Sequence, residues 1–253
     1  MDAVRAVVLP SRSRADDAAF HALRDASLAI AGLEEACIVG GQMVALLSGA
    51  FPSRSSILRR TVDADAAVSP VVAASGALHA LLTAGGYTST SGNHYIQGDR
   101  EIDVLVPATG GGFEKAEYGG RGFDGAPGLH LALSETLALD VTAVLLVDGP
   151  LTFATRVPGV ERALIVKALA YESRRAQKDL VDLYALLLIR EAHDPDSLGG
   201  WRIGYDAGSG ARRDAALALH RLVGAPGLRL MLRGSDVPEG RFAALVRTYV
   251  ADD

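Results

Sequence analysis

Apolar and polar positions in the first half of the chain alternate between a helical and a strand-like spacing. Apolar residues three and four apart predict helices at residues 16–33, 42–50 and 70–85. Short β-prone runs predict strands at residues 36–39, 61–68, 94–97 and 101–107. The last two runs flank Gly98-Asp99-Arg100, and a turn of this composition between two strands predicts a hairpin. Helices and strands therefore alternate along this half.

The second half of the chain has mainly helical spacing. Residues 110–128 contain eight glycines and are expected to form a flexible or irregular connection, after which 129–147 can supply further strands. Helices are expected at residues 160–192, as one continuous helix, and at 211–223 and 240–250. This order predicts an α+β protein with one domain at residues 1–150 and a mostly helical domain at 151–253.

Two aspartates stand out in the predicted strand at 61–68. Asp63 and Asp65 are two residues apart, so both project from one face, separated by about 6.6 Å along the strand. Val62, Ala64 and Ala66 are expected to pack on the other face. Two ionised carboxylates side by side are unfavourable unless a cation lies between them. The pair indicates either a solvated strand end or a site for Mg²⁺ or Mn²⁺, the ions that bind few carboxylates and leave room for phosphates.

Further residues fit a site for metal ions and phosphate. Asp103 follows in the last predicted strand and would lie beside the first two aspartates if these strands pair; otherwise it is an edge-strand charge. Gly40 and Gly41 leave a strand and open a helix. Glycine lets the backbone approach a ligand closely, and amides at a helix N-terminus attract phosphate, although a plain turn also fits.

A polar stripe follows along the expected helix at 160–192. Its members are Lys167, Tyr171, Arg174, Lys178 and Asp182. The stripe fits a solvated face with ordinary ion pairs, such as Lys178 with Asp182. It equally fits fixed positive charge for a triphosphate. Asp179 is expected slightly off the stripe, and Arg54, Arg59 and Arg60 are loop cations that could meet a triphosphate or an RNA end.

Composition excludes several other classes. The chain has 253 residues and a net charge of −5, so no global basic field indicates nucleic-acid binding. Cys37 is the only cysteine, which excludes an internal disulfide framework and a multi-cysteine zinc site. No apolar run reaches the ~18 residues of a membrane span, and the first residues do not resemble a signal peptide. A cytoplasmic protein without membrane contact is expected.

These residues together resemble the DNA polymerase β-like nucleotidyltransferase superfamily. The shared pattern is Gly-Gly, a spacer, an Asp-x-Asp strand and a more distant third carboxylate. The later lysine, arginine and Lys-Asp-x-x-Asp segment (Lys167, Arg174, 178–182) is similar to the AbiEii-type toxin nucleotidyltransferases, including MenT-like members. The resemblance covers about three-fifths of the chain, residues 36–190. It implies a nucleotidyltransferase-fold mixed sheet with flanking helices, followed by the helical domain.

The resemblance also implies roles for individual residues. Asp63 and Asp65 would hold Mg²⁺ or Mn²⁺ with Asp103 as third carboxylate, and Lys167 and Asp182 would join the first two as catalytic residues. The NTP substrate would bind at Gly40, Gly41, Arg174 and Lys178. The implied protein is a toxin that transfers a nucleoside monophosphate to a tRNA 3′ end and is paired with an antitoxin. Alternatives are a transferase or kinase acting on a protein or small molecule, and a catalytically silent nucleotide-binding module.

Overall fold

The computed structural model describes residues 4–54 and 59–252 and has an α+β fold, as the sequence predicts. The strands are β1 (Arg5–Pro10), β2 (Ala36–Val39), β3 (Asp63–Val68), β4 (Thr88–Ser91), β5 (His94–Gln97), β6 (Arg100–Pro107), β7 (Glu114–Tyr118), β8 (Arg121–Ala126), β9 (Thr136–Val144) and β10 (Pro150–Pro158). The helices are α1 (Arg14–Ile30), α2 (Gly40–Ala50), α3 (Pro70–Ser75), α4 (Ala77–Ala84), α5 (Leu129–Ser134), α6 (Val160–Arg174), α7 (Gln177–Ala192), α8 (Ala211–Gly224), α9 (Leu228–Met231) and α10 (Glu239–Tyr249).

The larger sheet has seven strands of mixed direction. Its main order is β2-β3-β6-β5-β4, and β8 pairs with the end of β6 and carries β7 on its other side. Strand β3 is antiparallel to β2 and parallel to β6. Along β3 and β6, buried apolar residues alternate with polar residues. Ala64, Ala66, Ile102 and Val104 are buried on one face of the sheet. The intervening aspartates lie on the opposite face.

A second sheet joins the beginning of the chain to its middle. Strand β1 is parallel to β9, and β10 is antiparallel to β9. The expected domain boundary after residue 150 falls at the first residue of β10, within this sheet. Helices α6 and α7 then pack against α2, and side chains from both halves of the chain share one hydrophobic core.

The glycine-rich segment 110–128 contains structure, so its prediction as an irregular connection was wrong. It forms the hairpin of β7 and β8, whose turn residues Gly119 and Gly120 have φ values of 59° and 71°. Two consecutive positive φ values are required by a type I′ turn, which matches the twist of the strands. These glycines therefore define a hairpin turn.

Two predicted helices and one predicted strand have different bounds in the structure. The helix expected at 70–85 divides at Gly76, where φ is 71°, and the strand expected from residue 61 begins at Asp63 and leaves Val62 exposed. The continuous helix expected at 160–192 breaks after Arg174, because Arg175 adopts a left-handed φ of 52°. Strands β1, β4 and β10 were not predicted. Among the described residues no helix is long and apolar enough to cross a membrane.

Candidate active site

Three carboxylates meet on the open face of the larger sheet. Asp63 and Asp65 lie on β3, and Asp103 lies on β6 directly opposite Asp65 in the parallel register. One oxygen from each of the three lies within 4.8 Å of the others. The structure thus brings together the residues that the sequence suggested as metal ligands. Three carboxylates at this distance suit a hard divalent cation such as Mg²⁺ or Mn²⁺.

Asp65, the central carboxylate of this triad, has a raised pKa. Burial raises the pKa of its carboxyl to about 6, the charge of Asp63 and more weakly that of Asp103 add to this rise, and Lys167 opposes it. The hydroxyl of Thr61 donates a hydrogen bond to Asp63, and Nδ1 of His94 lies 2.6 Å from Oδ1 of Asp103. The outer two carboxylates therefore have polar partners, whereas the central one is disfavoured in its charged form until a cation joins it.

Gly40 and Gly41 are the first two residues of α2, and this end of the helix lies against the carboxylate of Asp65. A Cβ atom at Gly40, whose φ is 69°, would lie 1.7 Å from Oδ2 of Asp65. A Cβ at Gly41 would lie 2.5 Å from Nη2 of Arg59. Only glycine allows the helix N-terminus to approach both side chains this closely. The N-terminal end of α2 therefore lies against Asp65 and Arg59, and backbone amides at such an end attract anions.

A chain of alternating charges forms the opposite side of the site. Lys167, which is 3% exposed, lies 2.7 Å from Oδ2 of Asp182 and 3.4 Å from Oδ1 of Asp179. Arg174 donates two hydrogen bonds to Asp179, of 2.8 and 2.7 Å. Arg59 donates two to Asp182, both of 3.2 Å. We call these five residues the charged network.

The charged network differs from the stripe that the sequence predicted. The left-handed residue Arg175 turns α7 back along α6, so Lys167 on the first helix faces Asp179 and Asp182 on the second. Asp179, expected off the stripe, is fully buried at its centre. Within the described residues, Lys178 and Asp182 do not form the ion pair that a continuous helix would allow. Lys178 instead lines the cleft.

The triad, the start of α2 and the three cations of the charged network border one cleft. Its volume is about 240 Å³, and its lining includes the proposed metal ligands, the proposed nucleotide-binding residues and Lys167. Asp182, the remaining candidate catalytic residue, is 2% exposed and does not line the cleft. Asp182 contacts two residues of the cleft lining, Lys167 and Arg59. Its catalytic role stays a prediction.

Neither a protein-family model nor a curated protein matches this chain. The resemblance to AbiEii-type nucleotidyltransferases stays a prediction, and the case for a function rests on the site itself.

Asp124 and Phe113 also line the cleft, and neither was predicted. Asp124 on β8 lies opposite Leu105 of β6 and adds a fourth carboxylate to the wall, where Lys115 and Asn93 contact it. Phe113 precedes β7 and presents its ring to the cleft. Both lie in residues 110–128, the segment that the sequence predicts as a connection. The alternating pattern of 114–118 and 121–126 around two glycines is the signal that would have revealed them.

The loop arginines are more constrained than expected. Arg59 is engaged with Asp182, and the guanidinium of Arg60 contacts both the Asp16 carboxylate and the carbonyl oxygen of Pro10, at 3.2 Å. Arg59 therefore lines the cleft, while Arg60 is held against the start of α1. Residues 55–58 of this loop lie outside the described part of the chain.

Proposed function

We propose that this protein is a metal-dependent nucleotidyltransferase that moves a nucleoside monophosphate from an NTP to an acceptor hydroxyl. The observation that carries the proposal is the carboxylate triad of Asp63, Asp65 and Asp103, which faces both a glycine-opened helix and a buried lysine. Carboxylates alone would suit many metal sites. Carboxylates opposite Lys167 and Arg174 suit a ligand that brings divalent cations and an extended negative charge together.

Each part of the cleft has a task in this reaction. Mg²⁺ or Mn²⁺ held by the triad would supply Lewis-acid stabilisation of the attacking and leaving oxygens. Lys167 and Arg174 offer fixed positive charge to the pyrophosphate as the bond between the α-phosphorus and its bridging oxygen breaks. The acceptor oxygen forms the new bond to the α-phosphorus and its proton leaves to solvent. Gly40 and Gly41 permit close contact with phosphate oxygens.

The raised pKa of Asp65 supports a site built for a cation. A purely structural carboxylate is usually stabilised by nearby donors, whereas the charges nearest Asp65 include Asp63 and Asp103. These neighbouring carboxylates lower the free energy of unfolding of the metal-free protein, and binding of the ion raises it again. A catalytically silent nucleotide-binding module would bind the same cation, and the transfer assay separates it from a transferase.

The resemblance of the sequence extends the proposal to the acceptor. A tRNA 3′ end is the acceptor we propose, in a cytoplasmic toxin that is held in check by a cognate antitoxin. A protein or a small molecule bearing a hydroxyl is the alternative acceptor. The chain's net charge of −5 means that any RNA contact must come from a local basic surface.

The proposal is tested by NTP binding and an acceptor screen. Calorimetry with each of the four NTPs, with Mg²⁺ and with chelator, should show metal-dependent binding. Incubation with labelled NTPs and tRNA, protein extract or small hydroxyl compounds then identifies the acceptor. Asp63→Ala should abolish transfer with the fold intact, and the exposed Asp140→Ala serves as the matched control. Absence of metal-dependent NTP binding, or full transfer by Asp63→Ala, would refute the assignment.

A further inference from the structure

Phe113 is an aromatic side chain without a place in the hydrophobic core. It is 38% exposed, and among the described residues it is not part of the core or of the apolar side chains packed on it. Its ring instead lines the cleft that contains the carboxylate triad. Large aromatic side chains gain most of their stabilisation from burial, so a ring held open in a polar cleft needs another explanation.

The ring is held in a defined position. The backbone amide of Phe113 donates to the hydroxyl of Ser173 at 3.3 Å, which ties the loop to the last turn of α6. The loop is closed on itself because Glu114 accepts from the amide and the hydroxyl of Thr109, at 2.6 and 2.9 Å. The Arg174 guanidinium lies 5.5 Å from the ring centroid. A ring fixed before binding loses little conformational freedom when a ligand packs against it.

The surroundings of Phe113 divide the cleft chemically. Leu105, Ala126 and Ala170 share the cleft wall with it, whereas the triad and Lys167 supply the charged part. Arg174 connects the two parts, because it contacts both the ring and the charged network. A ligand that fits must carry strong negative charge at one end and a flat apolar surface at the other.

We propose that Phe113 is the stacking surface for the base of the bound nucleotide; this inference rests on the proposed function. With the phosphates at the metal ions, Lys167 and Arg174, the base reaches the apolar part of the cleft and lies on the free face of the ring. Every base has a π-face, so stacking stabilises all four nucleotides and most strongly the larger purines. Phe113 thus contributes affinity for the nucleoside of every NTP, and selectivity beyond a preference for purines must come from other contacts.

The test compares two ligands that share the phosphate chain. Binding of ATP and of inorganic tripolyphosphate, each with Mg²⁺, is measured by calorimetry for wild type, Phe113→Ala, Phe113→Leu and Phe113→Trp. We expect Phe113→Ala to weaken ATP binding by about 5- to 150-fold and to leave tripolyphosphate binding unchanged. Phe113→Leu should lose as much ATP affinity as Phe113→Ala, since leucine has bulk without a π-face. Phe113→Trp should bind ATP at least as well as wild type. Tyr205→Ala, which removes a 75% exposed aromatic side chain outside the cleft, is the control.

The outcomes separate this inference from the proposed function. If wild type binds neither ligand, the proposed function fails and the stacking role fails with it. If wild type binds ATP and Phe113→Ala binds it equally well, only the stacking role is overturned. An equal loss of ATP and tripolyphosphate binding would also overturn it, because the ring would then act by holding Arg174.

Discussion

Replacing the central carboxylate of the triad should make the metal-free protein more stable. Burial and the neighbouring charge of Asp63 raise the pKa of Asp65 from an ordinary value near 4 to about 6. The ionised form is therefore unfavourable in the folded state at neutral pH. Asp65→Asn keeps the shape of the side chain and removes the charge, so it relieves this cost and at the same time removes a proposed metal ligand.

The magnitude follows from the size of the pKa change. One pKa unit corresponds to about 1.4 kcal/mol, so ionised Asp65 destabilises the folded protein by up to about 3 kcal/mol. Its side chain keeps partial contact with solvent in the cleft, and we expect a gain of about 1–3 kcal/mol from the substitution. For a chain of this size that gain raises Tm by roughly 2–12 °C.

The sign of the pH dependence is fixed by the raised pKa. Below about pH 4 the carboxyl is protonated in folded and unfolded chains alike, and the advantage of Asp65→Asn vanishes. Between about pH 4 and 6 the unfolded chain loses its proton first, so wild type becomes progressively less stable than the variant. Above about pH 6 the difference stays constant.

The assay is thermal unfolding with chelator and with excess Mg²⁺, across this pH range. Mg²⁺ should raise the Tm of wild type and leave that of Asp65→Asn nearly unchanged, because a ligand that binds only the folded state stabilises it. The exposed Asp140→Asn is the control and should respond like wild type. A metal-free Asp65→Asn that melts at or below the wild-type Tm at neutral pH refutes the electrostatic reasoning, and equal stabilisation by Mg²⁺ refutes the metal site.

Two further predictions concern the charge and the backbone of the cleft. Lys167→Ala should lower transfer by orders of magnitude in steady-state kinetics performed well below its Tm. The control Arg247→Ala, on the exposed side of α10, should leave transfer unchanged. If Lys167→Ala lowers only the Tm and not the rate of transfer, the lysine is structural. Gly40→Ala should destabilise the protein by at least about 1–3 kcal/mol, because its Cβ would collide with Asp65. Gly240→Ala, where a Cβ has open space, should be neutral or stabilising in the same denaturant titration.

Local patterns predicted most elements of this fold and the centre of its site. The alternation in 61–68 and 101–107 placed three aspartates on strand faces, and Gly40-Gly41 marked a helix start. Whether β3 and β6 pair, and in which register, depends on contacts between distant segments. The sequence therefore predicts that Asp103 lies beside Asp65 only if these two strands pair.

The remaining site residues depended on turns that were misread. A single left-handed residue, Arg175, converts one predicted helix into two and changes which charges meet. Apolar spacing continues across the break, so periodicity alone does not reveal it. Phe113 and Asp124 are absent from the predicted site for a related reason. A high glycine content predicts a flexible segment, whereas Gly119 and Gly120 form a hairpin turn.

The charged network explains how three cations can be held together beside one cleft. Buried ion pairs contribute little net stability, because desolvation offsets the attraction, so stability alone does not account for Asp179 and Asp182. Their effect is geometric: each carboxylate holds Lys167 from one side and an arginine from the other, Arg174 or Arg59. Three cations share two carboxylates, which leaves a positive excess facing the triad. A triphosphate entering with its metal ions would meet charge that is already oriented, which is the condition under which fixed charge accelerates phosphoryl chemistry.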